Sequence, residues 1–278
     1  MTYQEACREV QRSYDAAEAK AIVRLVLEER FSLSWADIVC DGTASLDADQ
    51  QAGLQTIIHR LAGGEPVQYV LGEAFFAGRR FVVRHGVLIP RPETEELCRW
   101  MVADLSEKRS LSVLDMGTGS GCIACTLALE LPESRVSAWD IAPTPLAVAG
   151  ENARRLRAGV VVEQQDILNP PRDERRWDVI VSNPPYVCES EQMSMESHVL
   201  GHEPHEALFV PDTDALRFYR AIADYGRQAL RQEGSLWLEI NPLFAGQLCD
   251  MLGQKGYAGI TERDDQFGRK RFIKATQP

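Results

Sequence analysis

Apolar positions recur with helical spacing in the first part of the chain. Leu54, Ile57, Ile58 and Leu61 fall at i, i+3, i+4 and i+7, with Asp47 and Gln50 in capping-box spacing ahead of them and Gly63-Gly64 behind. That pattern predicts an amphipathic helix with both ends marked. AEAKAIVRLVLEERF, from Ala17 to Phe31, predicts a second helix and YQEACREVQRSY a third. Residues 1 to about 65 carry no strand pattern, so this region reads as a small helical bundle. From Leu111 the pattern changes to short β-branched runs alternating with helical stretches, the signature of βαβ units and a mainly parallel sheet. SVLDM, RVSAWD, VVVEQ, WDVIVS and SLWLEI are the expected strands. Between the second and third, Thr144 as N-cap, Pro145 at the first helical position and Gly159 past the end bound a helix. YAGITERDDQFGRKRFIKA predicts a terminal antiparallel pair. FVVRHGVLIPRPETEELCRWM begins as a hairpin or extended linker and becomes a helix after Pro92. The organisation expected is a helical domain over 1–75, a hairpin or linker over 76–92, and an α/β domain over 93–278.

Composition narrows the class. The 278 residues are 45% hydrophobic and 26% charged, ordinary for a globular protein with a sizeable core. Lys and Arg number 30 against 41 Asp and Glu, a formal charge of -11 that opposes nonspecific attraction to nucleic acid or to an anionic membrane. No apolar run approaches the length of a membrane span, and MTYQEACREV lacks the apolar core of a signal peptide, so a cytoplasmic protein is expected. Seven cysteines stand singly apart from Cys122 and Cys125, which lie in the apolar helical run CIACTLALEL. Free buried thiols in a reducing compartment account for them better than a disulfide or zinc set.

The first chemical motif is LDMGTGSGCIA. Asp115 stands at the end of the first α/β-domain strand, and Gly117, Gly119 and Gly121, with Thr118 and Ser120 between them, form the turn that opens a helix. Glycines there permit tight geometry and close approach of a ligand to the backbone. Asp140 ends the next strand, where a carboxylate accepts from both hydroxyls of an adenosine ribose. The dinucleotide fingerprint needs its third glycine one step later, where this chain has Cys122, and Asp115 would repel a pyrophosphate. A cofactor with an amino group and a positive sulfur suits the loop better, which points to S-adenosylmethionine rather than a nicotinamide dinucleotide. In EQQDIL, Asp166 is placed either to accept from the adenine amino group, with Ile167 against the ring, or to cap a turn.

The second motif is VSNPPYV, Val181 to Val187, in which a buried strand stops at Asn183-Pro184-Pro185-Tyr186. Two prolines fix two φ angles and remove two N–H donors, so the segment presents acceptors outside any ladder. An amide or arylamine NH₂ is a poor nucleophile because its lone pair is delocalised. The Asn183 side-chain oxygen and the Pro184 carbonyl are two acceptors that would hold its N–H bonds and aim the nitrogen at a sulfonium methyl, with Tyr186 stacked on the planar group. Those bonds strengthen as positive charge develops on nitrogen.

DMGTGSG, the Asp140 strand end and NPPY, preceded by GEPVQYVLGEAFF and VLIPRPETEE and followed by EPHEALF (Glu203 to Phe209), resemble the HemK-type release factor glutamine methyltransferases over nearly the whole chain. The resemblance implies a class I methyltransferase, a Rossmann-like sheet of seven strands, with an N-terminal helical domain that holds a protein substrate. It implies methyl transfer from S-adenosyl-L-methionine, leaving S-adenosyl-L-homocysteine, to the side-chain amide nitrogen of the glutamine in the Gly-Gly-Gln motif of class 1 peptide chain release factors. Carried over by position, Gly117 to Gly121, Asp140, Ile167 and Asn183 contact the cofactor and Asn183 to Tyr186 the glutamine. The chain departs from the pattern at Phe75, Phe76 and Ala77, where an acid followed by an aromatic is expected, and at Ile167, where a larger aromatic is expected.

A glutamine of a ribosomal protein, or an exocyclic amine of DNA, satisfies the same two acceptors. The charge of -11, the absence of a long insertion after NPPY and the helical N-terminal domain favour a protein substrate and a monomer without direct nucleic-acid contact. His198, His202 and His205 are interrupted by Pro204 and read as a loop cluster, so no metal is expected. GRKRF, Gly268 to Phe272, reads as alternating charge on the terminal hairpin, and DQFGRKR matches the family's D-x-x-G-x-x-R ending.

Overall fold

In the computed structural model, which describes residues 1–278, side-chain caps open four of the first helices. Thr2, Asp15, Ser34 and Asp47 accept from backbone N–H groups in the first turns of Tyr3–Val10, Ala16–Phe31, Trp35–Val39 and Ala48–Ala62. The expected box is present at Asp47: its Oδ1 takes the Gln50 N–H at 2.8 Å while Gln50 Oε1 takes the Asp47 N–H at 3.0 Å. Gly64 follows that helix at φ +84°, a left-handed conformation that glycine adopts without strain. Val10, Val23, Val26, Leu27, Leu54, Ile58 and Leu61 form the core of these helices.

Contacts group the chain into two units, Met1–Glu73 with Ser194–Glu203, and Ala74–Met193 with Pro204–Pro278. Residues 194–203, read from the sequence as part of the larger domain, are grouped with the helices. Within that unit the Tyr14 and His198 rings lie 5.3 Å apart.

The larger unit is built on seven strands, labelled β1 (Ser112–Met116), β2 (Arg135–Asp140), β3 (Val160–Gln164), β4 (Trp177–Ser182), β5 (Leu230–Glu239), β6 (Ala258–Asp264) and β7 (Lys270–Thr276). Their order across the sheet is β3-β2-β1-β4-β5-β7-β6. The first five pair in parallel, and β7 joins β5 and β6 antiparallel. Helices cover both faces, so alternate residues of one strand enter different cores: Trp237 packs with Leu97, Met101 and Leu127, while Leu236 and Leu238 pack with Tyr219, Ile222 and Leu248. The strand expected at SLWLEI begins earlier, at Leu230. No helix is long and apolar enough to cross a membrane.

One boundary is corrected. The helix between β2 and β3 runs Pro143–Leu156, with Ala142 as N-cap, Pro143 at its first position and Arg157 closing it at φ 56°, rather than Thr144, Pro145 and Gly159. Either proline suits a first helical turn. Asp140 decides between them, because its Oδ1 takes the Ala142 N–H at 3.0 Å and closes the turn early.

Ahead of the sheet, residues 73–76 and 79–82 form a hairpin whose turn residues Ala77 and Gly78 have φ of 48° and 72°. Asn152 holds it through both ends of its amide, accepting the Val82 N–H at 2.7 Å and donating to the Val82 carbonyl at 3.0 Å. Glu95 accepts the Ala77 N–H at 2.9 Å, tying the hairpin to the start of the helix Pro92–Leu105.

Candidate active site

Parallel register sets the carboxyl ends of four strands side by side. Met116 of β1 is level with Trp139 of β2 and Ser182 of β4, and Ser182 with Leu238 of β5. The next residues in each chain direction, Gly117, Asp140, Asn183 and Glu239, therefore share one edge of the sheet. Open α/β sheets bind ligands at such an edge.

The glycine loop is closed by its own backbone and by two acids. Gly117, Gly119 and Gly121 all have positive φ, and the Gly117 and Thr118 N–H groups donate to the Trp139 carbonyl at 2.9 and 2.8 Å. A Cβ on Gly121 would lie 3.1 Å from Ala149, so this glycine permits close helix packing, whereas nothing stands within 4 Å of a Cβ position on Gly119. Asp140 Oδ2 accepts the Gly119 N–H at 3.0 Å, so one carboxylate ties the loop to the turn after β2. Burial pushes its pKa up from the usual carboxylate range, and the backbone N–H groups of Ala142, Gly119 and Ile141 hold it back.

Asp115 is fully buried. Its Oδ2 accepts the Thr118 hydroxyl at 2.6 Å and the Ala124 N–H at 3.2 Å, while Oδ1 has no partner. Burial pushes this carboxyl up to about 7, against those two donors, with Asp140 adding a smaller upward push. Because the folded value lies above the ordinary 3.8, folding takes up a proton at pH values between the two. The stabilisation is full below the unfolded value and is lost as pH rises through about 7. We expect wild type to lose roughly 2 kcal/mol of stability relative to Asp115→Asn between about pH 5 and about pH 8. Urea unfolding of both proteins at the two pH values measures this, and a constant difference contradicts it.

Asp166 lies two residues beyond β3, half-buried, and turns back on its own chain. Oδ1 accepts the Leu168 N–H at 2.8 Å and Oδ2 the Asn169 side chain at 2.7 Å. The turn-capping role is thus present in the structure. Ile167 is buried, with its Cδ1 3.2 Å from a Cβ position on Gly117. Phe76 packs edge-on against Phe81 in the core, while Phe75 is exposed beneath the Arg80 guanidinium. Cys122 and Cys125 are buried free thiols, each pushed up to about 12 chiefly by burial.

Asn183 to Tyr186 leave β4 without entering a ladder, and Pro184 is buried beneath the half-buried Asn183, Pro185 and Tyr186. A hydrogen-bonded chain that the sequence did not reveal stands behind them. Asn183 Nδ2 donates to Thr94 Oγ1 at 3.1 Å, and Thr94 Oγ1 donates to Glu239 Oε2 at 2.7 Å. The Tyr186 hydroxyl donates to Glu239 Oε1 at 3.0 Å. Asn241 Nδ2 holds the Tyr186 carbonyl at 3.1 Å and Glu191 at 2.8 Å. Glu239 is fully buried; burial pushes its pKa up from the usual carboxylate range, and Thr94, Tyr186 and the Arg271 charge hold it back. Arg271, the last residue of DQFGRKR, is braced by Asp265 at 3.2 Å and the Ile240 carbonyl at 3.3 Å. Lys270 pairs with Glu262 and Asp264 across the hairpin. Among the histidines, His198 pairs with Glu196 at 2.9 Å and the His205 ring lies 4.7 Å from Phe209.

The residues at this edge fit an adenosyl cofactor. Space at Gly119, a carboxylate at the end of β2 and no basic side chain within the loop suit a nucleoside with a free diol and no pyrophosphate. A Thermus thermophilus 16S rRNA N2 G1207 methyltransferase, solved in complex with AdoMet and guanosine, shares the fold with a TM-score of 0.54 at 18% identity, over 74% of this chain and 50% of that one. Residues 90–208 match the Methyltransferase small domain family. Fold and site together define a class I S-adenosylmethionine-dependent methyltransferase.

Residues 3–72 match the PrmC N-terminal domain family. Proteins named release factor glutamine methyltransferase are similar over nearly the full chain: one from Bacteroides thetaiotaomicron is 43% identical, covering 96% of both chains, and one from Flavobacterium psychrophilum is 37% identical, covering 94% of this chain and 93% of its own. The chain belongs to the release factor glutamine methyltransferase family.

Proposed function

We propose that the protein methylates the side-chain amide nitrogen of the glutamine in the Gly-Gly-Gln motif of class 1 peptide chain release factors. The observation that carries this reading is the hydrogen-bonded Asn183-Pro184-Pro185-Tyr186 segment at the carboxyl end of β4, level with the glycine loop of β1. The names of the full-length relatives support the substrate.

In this reading the loop Gly117 to Gly121 and Asp140 hold the adenosyl cofactor, Asp115 braces that loop, and Asp166, Ile167 and Asn183 border it. Bound S-adenosylmethionine supplies an electrophilic methyl carbon on a positively charged sulfur. Asn183 Oδ1 and the Pro184 carbonyl accept the two N–H bonds of the glutamine amide and aim its lone pair. Pro185 keeps the turn rigid, and the Tyr186 ring covers the amide plane. As nitrogen gains positive charge its N–H bonds become better donors, so both acceptors stabilise the transition state more than the ground state. Neither acceptor is basic, and the proton released from nitrogen passes to water. The helical unit holds the remainder of the protein substrate. We further propose that the protein acts in the cytoplasm, as a monomer and without direct nucleic-acid contact.

Incubation of the enzyme and labelled cofactor separately with a release factor, ribosomal proteins and duplex DNA tests the assignment. Label is expected in the release factor. Label in DNA alone contradicts the reading, and label in a ribosomal protein alone keeps the chemistry and changes the partner.

A further inference from the structure

We infer that Thr94 and Glu239 are positioning residues that set which end of the Asn183 amide faces the substrate. This rests on the reading of Asn183 as an acceptor for the substrate nitrogen. An ionised carboxylate only accepts, and the two oxygens of Glu239 take the Thr94 and Tyr186 hydroxyls at 2.7 and 3.0 Å. Thr94 has a single hydroxyl proton and gives it to Glu239, so only its lone pairs remain for Asn183. The Asn183 group 3.1 Å away is therefore the NH₂, and Oδ1 is the end left to accept from a substrate N–H. Glu239 thus directs both ends of the segment, Asn183 through Thr94 and Tyr186 directly.

The parts come from distant places in the chain. Thr94 stands in the first turn of the helix Pro92–Leu105, with Pro92 at its start, and Glu239 closes β5. Both side chains are buried, where an unpaired group is costly and a paired one is held firmly. Tyr186 from the NPPY segment, Arg271 from β7 and Glu93 from the helix carrying Thr94 act on Glu239, and its charge is also felt by Cys98 of that helix and by Tyr219, whose hydroxyl donates to the Glu239 carbonyl at 3.1 Å. Protonation of Glu239 would turn it from acceptor into donor and release Thr94 to donate to Asn183, presenting NH₂ to a substrate that itself offers N–H.

Isosteric variants separate orientation from packing. Glu239→Gln keeps shape and burial but introduces an NH₂ donor, and Thr94→Val keeps shape but removes the hydroxyl, whereas Thr94→Ser keeps the hydroxyl. Single-turnover methylation of a release factor at saturating cofactor is expected to slow by roughly 10- to 100-fold in Glu239→Gln and Thr94→Val and to stay within about threefold of wild type in Thr94→Ser. The dissociation constant for S-adenosylhomocysteine is expected to remain within about threefold in all three. A second readout needs no substrate: hydrogen exchange of the Asn183 side-chain NH₂, followed by NMR, is expected to accelerate in Thr94→Val and to remain slow in Thr94→Ser. Wild-type turnover in Thr94→Val overturns the inference, as does unchanged Asn183 exchange in the same variant. A wild-type enzyme inert on every glutamine substrate counts against the functional reading instead, and amide exchange alone then decides the orientation.

Discussion

Replacing Asn183 with alanine is expected to lower the methylation rate by roughly 100- to 1000-fold, about 3 to 4 kcal/mol of transition-state stabilisation, by analogy with the loss of one preorganised donor from an oxyanion hole. In the proposed mechanism the substitution removes one of two acceptors whose bonds tighten as the amide nitrogen becomes positive. It also leaves the Thr94 hydroxyl without its donor, at 3.1 Å in the native protein. Folding is expected to survive, since Asn183 is only half-buried and lies outside the sheet ladder. Single-turnover rates at saturating cofactor, paired with calorimetry of S-adenosylhomocysteine, separate the chemical step from binding. A rate within about threefold of wild type contradicts the acceptor mechanism.

The second large effect is expected at Asp140, on binding. Its two oxygens each hold a backbone N–H at 3.0 Å, from Gly119 and Ala142, and each has a further lone pair for a ribose hydroxyl. Hydrogen bonds to a charged group contribute roughly 1.5 to 3 kcal/mol each, so Asp140→Ala is expected to cost about 3 kcal/mol or more of cofactor affinity, over a hundredfold in Kd. The loop loses its tie to the turn after β2 in the same change. Asp140→Asn retains one acceptor and is expected to bind between the two. Calorimetric titration with S-adenosylhomocysteine checks the series, and an Asp140→Ala affinity equal to wild type removes the carboxylate from the site.

Local signals carried far in this chain. Strands β1 to β4 coincide with SVLDM, RVSAWD, VVVEQ and WDVIVS, because parallel strands are short β-branched and apolar runs bounded by turns. The glycine loop and NPPY were visible because glycine permits turns that other residues cannot make and proline fixes φ and removes a donor wherever it stands. The relay behind NPPY was not visible. Thr94 and Glu239 are 145 positions apart, and nothing in PETEE or SLWLEI indicates that a hydroxyl and a carboxylate meet behind Asn183. The same limit applies to SHVLGH, Ser197 to His202, whose grouping with the N-terminal helices arises from contacts distant in sequence. At the start of the helix Pro143–Leu156, two prolines made two starts equally good, and only the Asp140 bond to Ala142 chose between them.

The most direct measurement is fragmentation mass spectrometry of the Gly-Gly-Gln peptide from a release factor incubated with cofactor and either wild-type enzyme or Asn183→Ala. A single methyl group on the glutamine side-chain nitrogen with wild type, and little or none over the same time with the variant, is the predicted result. A methyl group on another residue, an unmodified peptide with wild type, or equal modification by Asn183→Ala would contradict it.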